Sequence, residues 1–390
     1  MSRAGIYIHI PFCRSRCSYC DFATGAYEGA LAERYVDALA AEIDRFKLDA
    51  GAHPPGGADA GREREADTIY FGGGTPSLLT PAQLARVLDA LGRRFAVSAG
   101  AEVTMEMNPG TVTPETLRKF RALGVNRASF GAQTFDDREL RRLGRTHTAE
   151  DARRTLRCLR DAGFDNISFD LIAGLPGQTL EAWSRNLDEA LALRPEHLSL
   201  YLLEVHEGTP LADQLRRGMW PEPDADVAAE MYTLTVERAR AAGYEQYEIS
   251  NFCLRGRESR HNTKYWTGEP FYGFGCSAHS FDGAGRRWSN ERDAARYVEL
   301  VEAGTRPVVE TVELDARAAG AEALFLGLRL MERGVDLAEH RARFRRDPRE
   351  EYAEDFRRFT EAGLIELTGD CLRLTPHGAL LSNEVFAAFV

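Results

Sequence analysis

Through the first two-thirds of the chain, short runs of β-branched and aromatic residues alternate with longer stretches whose apolar residues recur at helical spacing. The runs are GIYIHI at 5–10, TIYF at 68–71, EVTME at 102–106, RASFG at 127–131, NISFDLI at 166–172 and HLSLYLL at 197–203, and each reads as a strand. Between them the period lengthens over Leu31 to Phe46, Pro81 to Phe95, Pro114 to Ala122, Thr148 to Ala162 and Leu180 to Ala192, which predicts amphipathic helices. Thr80-Pro81 and Thr113-Pro114 each place a hydroxyl at the N-cap and a proline in the first turn, where its missing N–H removes no bond. Strands alternating with helices require right-handed parallel crossovers, so the expected fold class is α/β, an open sheet or a barrel, with six such units over residues 5 to 243.

The stretch AGAHPPGGADAGREREA, residues 50–66, interrupts the first crossover with glycine, proline and charge and reads as a flexible surface insertion. After a linking region from Trp288 to Glu310 the pattern changes. DARAAGAEALFLGLRLMERG, DLAEHRARF and REEYAEDFRRFTEAG, the strand pair LIEL and CLRL, and a last helix from Pro376 follow the order of a winged helix, a module that can bind DNA. The expected division is 1–243, a barrel-closing and linking region over 244–310, and a winged-helix-like α+β domain over 311–390.

Composition narrows the field. A chain of 390 residues with 44% hydrophobic content can bury a sizeable core, and no apolar run approaches the length of a membrane span. The start MSRAGIYIHI lacks the regions of a signal peptide, so a cytoplasmic location is expected. A net charge of −11 argues against bulk binding of nucleic acid, and RRFTEAG and RARFRRDPRE read as solvated helix faces. Of seven cysteines, Cys158, Cys253, Cys276 and Cys371 are scattered, whereas Cys13, Cys17 and Cys20 share one loop. Reduced thiols clustered in this way more often bind metal than form disulfides.

The polar residues fall where ligands bind in such folds, beyond the carboxyl ends of the strands. The cysteine loop follows the first strand, Gly72-Gly73-Gly74-Thr75 the second, Glu106 ends the third, Gln133 follows the fourth, Asp170 ends the fifth and Glu204 follows the sixth. Taken singly, a carboxylate there can cap a helix and a glycine can serve a turn; together they point at one mouth. The glycine run lets backbone groups approach a ligand closely, but matches neither a Walker loop nor a dinucleotide fingerprint. A cubane iron–sulfur cluster is normally held by four thiolates; with three, one iron stays open. The alternative is a zinc site of the three cysteines with His9.

Cys-x3-Cys-x2-Cys after a first strand, followed by a glycine-rich second turn, resembles the radical S-adenosylmethionine (SAM) superfamily. YIHIPFC, GGGTPS, SFGAQTF, DLIAGLPGQT and HNTKYW together resemble its oxygen-independent coproporphyrinogen III oxidase family, and most closely the HemW-type branch of haem chaperones. The resemblance implies a partial (βα)6 radical-SAM barrel with the winged-helix-like domain packed beside it. It implies a [4Fe–4S] cluster on Cys13, Cys17 and Cys20, with SAM on the open iron, where an electron from the cluster cleaves the sulfonium to a 5′-deoxyadenosyl radical. Tyr7, Gly73, Gly74, Thr75 and Glu106 would line the first SAM position, and Gln133, Arg145 and Asp170 would contact SAM in the same cavity.

Two departures separate the chain from the oxidase itself. Phe22 stands where the oxidase has a further cysteine, and four residues precede the first strand where the oxidase has a long segment that contributes to its substrate site. Within HNTKYW, the resemblance implies His261 as a ligand to haem iron with Tyr265 and Trp266 flanking the macrocycle; His279 and Cys276 are rival ligands. The leading expectation is a haem chaperone, with haem, a haem-accepting protein and an electron donor as partners. Peripheral contact with a membrane is left open and nucleic acid is not expected. The alternatives are coproporphyrinogen oxidation, another radical-SAM reaction such as methyl transfer, and DNA-binding regulation. Coproporphyrinogen III oxidase activity is not expected.

Overall fold

The computed structural model describes residues 3–47 and 65–389; the insertion at 50–66 lies, apart from its last two residues, outside the described residues. A twelve-stranded sheet forms the body. Six strands, β1 (Ala4–Ile10), β2 (Glu65–Gly73), β3 (Ala96–Met107), β4 (Arg127–Gln133), β5 (Ile167–Ala173) and β6 (His197–Leu202), pair in parallel in chain order. This is the α/β arc the strand–helix alternation predicts.

The sheet continues past both ends of the arc. Beyond β6 lie β7 (Glu245–Glu248) and β8 (Asn251–Cys253), with β8 antiparallel to both. On the other side β9 (Phe271–Phe274) runs parallel to β1, followed outward by the antiparallel β10 (His279–Phe281), β11 (Arg286–Asn290) and β12 (Val308–Glu313). Trp288 to Glu310, read from sequence as a link, thus belongs to the sheet itself and carries a helix, Ala294–Glu302. The edge strand β12 is mostly exposed, so it lacks the apolar alternation by which strands are recognised.

Helices α1 (Gly29–Arg45), α2 (Pro81–Arg94), α3 (Pro114–Ala122), α4 (Ala149–Asp161) and α5 (Leu180–Leu193) cover the outer face of the arc. The caps behave as their residues require: Thr80 and Gln83 form a reciprocal capping box, and Thr113 accepts from the Thr116 N–H. Strand alternation sends Ile6, Ile8 and Ile10 into the core against these helices, whereas Tyr7 and His9 face inward. The carboxylate of Glu42 on α1 accepts from Tyr297 Oη (2.6 Å), Gly275 N (2.8 Å) and Asn290 Nδ2 (2.7 Å), which fastens α1 to the added strands.

From the helix Ala316–Leu328 to Phe389 the chain forms a separate apolar core that includes Leu324, Leu328, Phe356, Phe359, Leu372 and Val385, with Ile249 inserted from the turn between β7 and β8. Its three-stranded antiparallel sheet has Cys371–Leu374 in the centre between Val335–Asp336 and Ile365–Thr368, beside helices at 337–344 and 353–361, the winged-helix order. Glu248, fully buried, joins the two parts through Arg329 at 3.2 Å. Among the described residues no helix is long and apolar enough to cross a membrane.

Candidate functional site

Past β1 the chain pairs Phe12–Cys13 with Gly25–Ala26 and so closes a loop around Cys17 and Cys20. Ser18 fixes this loop from outside: its N–H donates to Leu143 O at 2.9 Å and its carbonyl accepts from Leu211 N at 2.8 Å. All three cysteines are partly exposed, and burial raises the thiols of Cys13 and Cys20. The neighbouring thiols add to both shifts, so the three sulfurs share one electrostatic site. His9 is engaged elsewhere, with Nδ1 at 3.1 Å from Tyr7 Oη and Nε2 at 3.0 Å from Ala23 O. With both ring nitrogens so engaged, His9 is not free to complete a zinc site with the three cysteines. A cubane spreads its thiolates over separate irons, and three thiols along one loop fit that demand.

The glycine turn is packed onto the cysteine loop. Gly74 N donates to Ile10 O at 2.8 Å and Thr75 N to Phe12 O at 2.9 Å. Gly73 has φ +108°, and a Cβ on it would meet the His9 ring at 2.7 Å; a Cβ on Gly74 would lie 2.8 Å from Phe12 O. Only glycine allows this approach. Thr75 Oγ1 then donates to Cys13 Sγ at 3.5 Å and accepts from Asn108 Nδ2 at 2.7 Å. Asn108 Oδ1 accepts from Arg145 Nη2 at 2.8 Å, and Arg145 Nη1 donates to Cys17 Sγ at 3.4 Å. A continuous polar relay therefore links one cysteine to another through the loops after β2, β3 and β4. A cavity of about 360 Å³ adjoins it, lined by Cys17, Thr75, Asn108, Arg145, His147 and Arg154 among others. Burial, with the Arg145 charge behind it, lowers His147 to about 4.

On the other side of Arg145 lies the interior of the arc. Glu106 accepts from Tyr70 Oη at 2.7 Å and Gly73 N at 3.2 Å, and burial, with the charge of Asp170 adding, raises its carboxyl to about 7. Asp170, also raised by burial, accepts from Ser129 Oγ at 3.4 Å. Gln133 sits on a bulge with φ +64°, which turns its side chain back over Gly131, where a Cβ would lie 2.2 Å from Gln133 Nε2. Such strain in a non-glycine residue is characteristic of functional sites. Beneath them Arg127 is fully buried with its Nε unpartnered, and its charge lowers both Glu106 and Asp170.

His261 lies on α6 (Arg260–Thr267), closing the floor of this chamber. Its Nδ1 is 2.8 Å from Thr68 Oγ1 and its Nε2 2.9 Å from Tyr265 Oη, and the ring stacks on Tyr70 at 5.2 Å. Burial, with Lys264 and Arg127 adding, lowers it to about 3. Trp266 lies under the Arg329 guanidinium at 4.4 Å, Cys276 is buried beside Tyr35 Oη, and His279 is exposed. The structure thus gathers Tyr7, Gly73, Gly74, Thr75, Glu106, Gln133, Arg145 and Asp170 around one mouth and sets His261 below it. Sequence reasoning passed over Tyr70, Asn108 and Arg127. Asn108 lies one residue past the end of β3, before Pro109-Gly110, where its surroundings read as a turn.

A parallel arc with a three-cysteine loop after its first strand, a glycine turn after its second and inward carboxylates on its third and fifth defines a radical SAM protein, and the Radical SAM superfamily is matched over residues 7–190. The HemN C-terminal domain is matched over residues 314–381. The fold is similar to that of coproporphyrinogen III oxidase (HemN) from Escherichia coli, with TM-score 0.83 and 24% identity, covering 99% of this chain and 90% of that one. The sequence is 36% identical to "Heme chaperone HemW" of Bacillus subtilis over 98% of both chains, and 37% identical to that of Mycobacterium tuberculosis over 98% of this chain and 93% of the relative. The chain belongs to the HemW family. Its radical SAM domain implies a [4Fe–4S] cluster and SAM.

Proposed function

We propose that this chain is a haem carrier that holds a SAM-ligated [4Fe–4S] cluster and passes haem to an acceptor protein. The observation that carries this reading is identity along nearly the whole of both chains with proteins named heme chaperones. Cys13, Cys17 and Cys20 would hold the cluster, as three thiols flanked by the Thr75 hydroxyl and the Arg145 guanidinium suit an anionic iron–sulfur group. When bound, the cluster supplies an electron for cleaving the SAM sulfonium, drawn in turn from an electron donor.

The chain's own groups would orient SAM. Gly73, Gly74 and Thr75 offer backbone against the cysteine loop, and Tyr7 forms a wall with Tyr70. Glu106, steadied by Tyr70 and the Gly73 N–H, can accept hydroxyl hydrogen bonds or face a cationic centre. Gln133, Arg145 and Asp170 would contact SAM from the opposite wall, with Arg145 able to fork onto a carboxylate. His261 can reach a haem iron only by exchanging its Tyr265 or its Thr68 contact for the metal. An oxidase reading rests on likeness of fold alone.

The test is anaerobic reconstitution followed by haem titration. Stoichiometric haem binding without conversion of coproporphyrinogen III supports the carrier; robust conversion, or absence of any haem binding, overturns it.

A further inference from the structure

Resting on the haem-carrier reading, we propose that haem docks on the rim beside the cysteine loop, with His206 as an axial ligand and Phe22 and Val205 against the macrocycle. Availability of imidazole nitrogen narrows the choice. The rings of His9, His147, His197, His261 and His340 all make hydrogen bonds inside the fold. His206 is exposed at the mouth, and its nearest polar neighbours, Glu204 Oε2 at 3.6 Å and Asp21 Oδ2 at 3.8 Å from Nε2, stand beyond hydrogen-bond distance. Nδ1 can then turn to iron while Nε2 carries its proton toward these carboxylates, the outer-shell arrangement that makes a histidine a better ligand.

The surroundings match the rest of the molecule. Phe22, 62% exposed, follows Asp21 directly, and Val205, 40% exposed, precedes His206. Tyr201, 42% exposed, lies near the end of β6, the strand beside the one that carries Asp170, and adds apolar surface at this end of the sheet. Large side chains left in water together signal a binding surface, and a flat macrocycle covers several at once. The exposed Arg292 donates from Nη2 to Asp21 O at 2.9 Å, setting a cation beside Phe22 for a haem propionate. The ligand is also held in place: His206 O accepts from Thr209 Oγ1 at 2.7 Å, and Leu211 N bonds Ser18 O within the cysteine loop. On this assignment an aromatic residue occupies position 22 because it forms part of the haem platform.

The test titrates ferric haem into the full, cluster-loaded chain, reading the Soret band, the ligand-field spectrum and the dissociation constant. His206→Ala is expected to lose the histidine-ligated spectrum and weaken binding at least tenfold, while cluster absorbance is kept. Phe22→Glu should weaken binding similarly with the histidine spectrum retained, and His279→Ala should change neither. Unchanged spectrum and affinity in His206→Ala overturn the site, as does loss of the histidine spectrum in His261→Ala or His279→Ala instead. If the wild type binds no haem, the carrier reading falls as well, which separates the two failures.

Discussion

The Tyr70 hydroxyl donates to Glu106 Oε1 at 2.7 Å and, with Gly73 N, holds a carboxylate that burial has lifted from 4.5 to about 7. A carboxyl that binds its proton more tightly when folded favours the folded state at low pH. That contribution is lost as pH rises from 4.5 through about 7, and above this the wild type carries the whole cost of a buried charge. The difference corresponds to about 3 kcal/mol. Glu106→Gln should therefore be more stable than wild type at pH 8 and much closer to it at pH 5, as read by urea unfolding of the cluster-free protein. Equal pH slopes in the two proteins would refute this. Tyr70→Phe removes a bond that favours the ionised form and should move the titration of Glu106 further upward.

Asn108 stands between Thr75 and Arg145, and so between Cys13 and Cys17. Asn108→Ala leaves a hydroxyl and a guanidinium without their shared partner, a loss of about 1–3 kcal/mol. The variant should keep its fold but release its cluster faster under mild chelation, whereas Cys17→Ala should hold no intact cluster at all. Iron content and visible absorbance after anaerobic gel filtration distinguish the cases. A Cys17→Ala protein with a full cluster would overturn the ligand assignment.

Much of this architecture can be read from the chain because burial is periodic. Most of strands β1 to β6 and helices α1 to α5 bury a defined face, so their apolar spacing marks them within a few residues, whereas β3 begins at Ala96, six residues before its predicted run, with a mostly exposed stretch. The strands from Phe271 to Glu313 were harder to see: β10 has three residues, and β12 is largely exposed. The position of β9 beside β1 is set by tertiary pairing that no local pattern encodes. The relay through Asn108 was likewise hidden. An asparagine before Pro109-Gly110 looks like turn chemistry until the loops of three crossovers are brought together. The contact of His261 to Thr68 spans 193 residues, so no local pattern could show that its ring is paired at both nitrogens.

Gly73 and Gly74 give separable outcomes. Gly73→Ala forces a side chain into φ +108° and against the His9 ring, so stability should fall by about 1–3 kcal/mol in urea unfolding. At Gly74 the obstacle is the Phe12 carbonyl, so Gly74→Ala should shift the cysteine loop and weaken the change that SAM produces in the reduced cluster's paramagnetic spectrum. Wild-type response to SAM in Gly74→Ala would show that the turn tolerates more room than these contacts allow.

Phe22→Cys tests what a fourth thiol on the loop would accomplish. Position 22 is 62% exposed, while Glu106 and Asp170 face the interior of the arc, so sulfur there adds no reacting group to the chamber. It does remove a large apolar surface from the rim, and burial of an aromatic ring against a flat ligand is worth roughly 1–3 kcal/mol. The substituted protein, reconstituted with iron and sulfide and supplied with SAM and reductant, should produce no protoporphyrinogen IX from coproporphyrinogen III. Its haem dissociation constant should rise about fivefold or more, in keeping with that lost burial. Oxidase turnover gained from this single change would mean that one thiol, rather than the substrate site, separates the two activities.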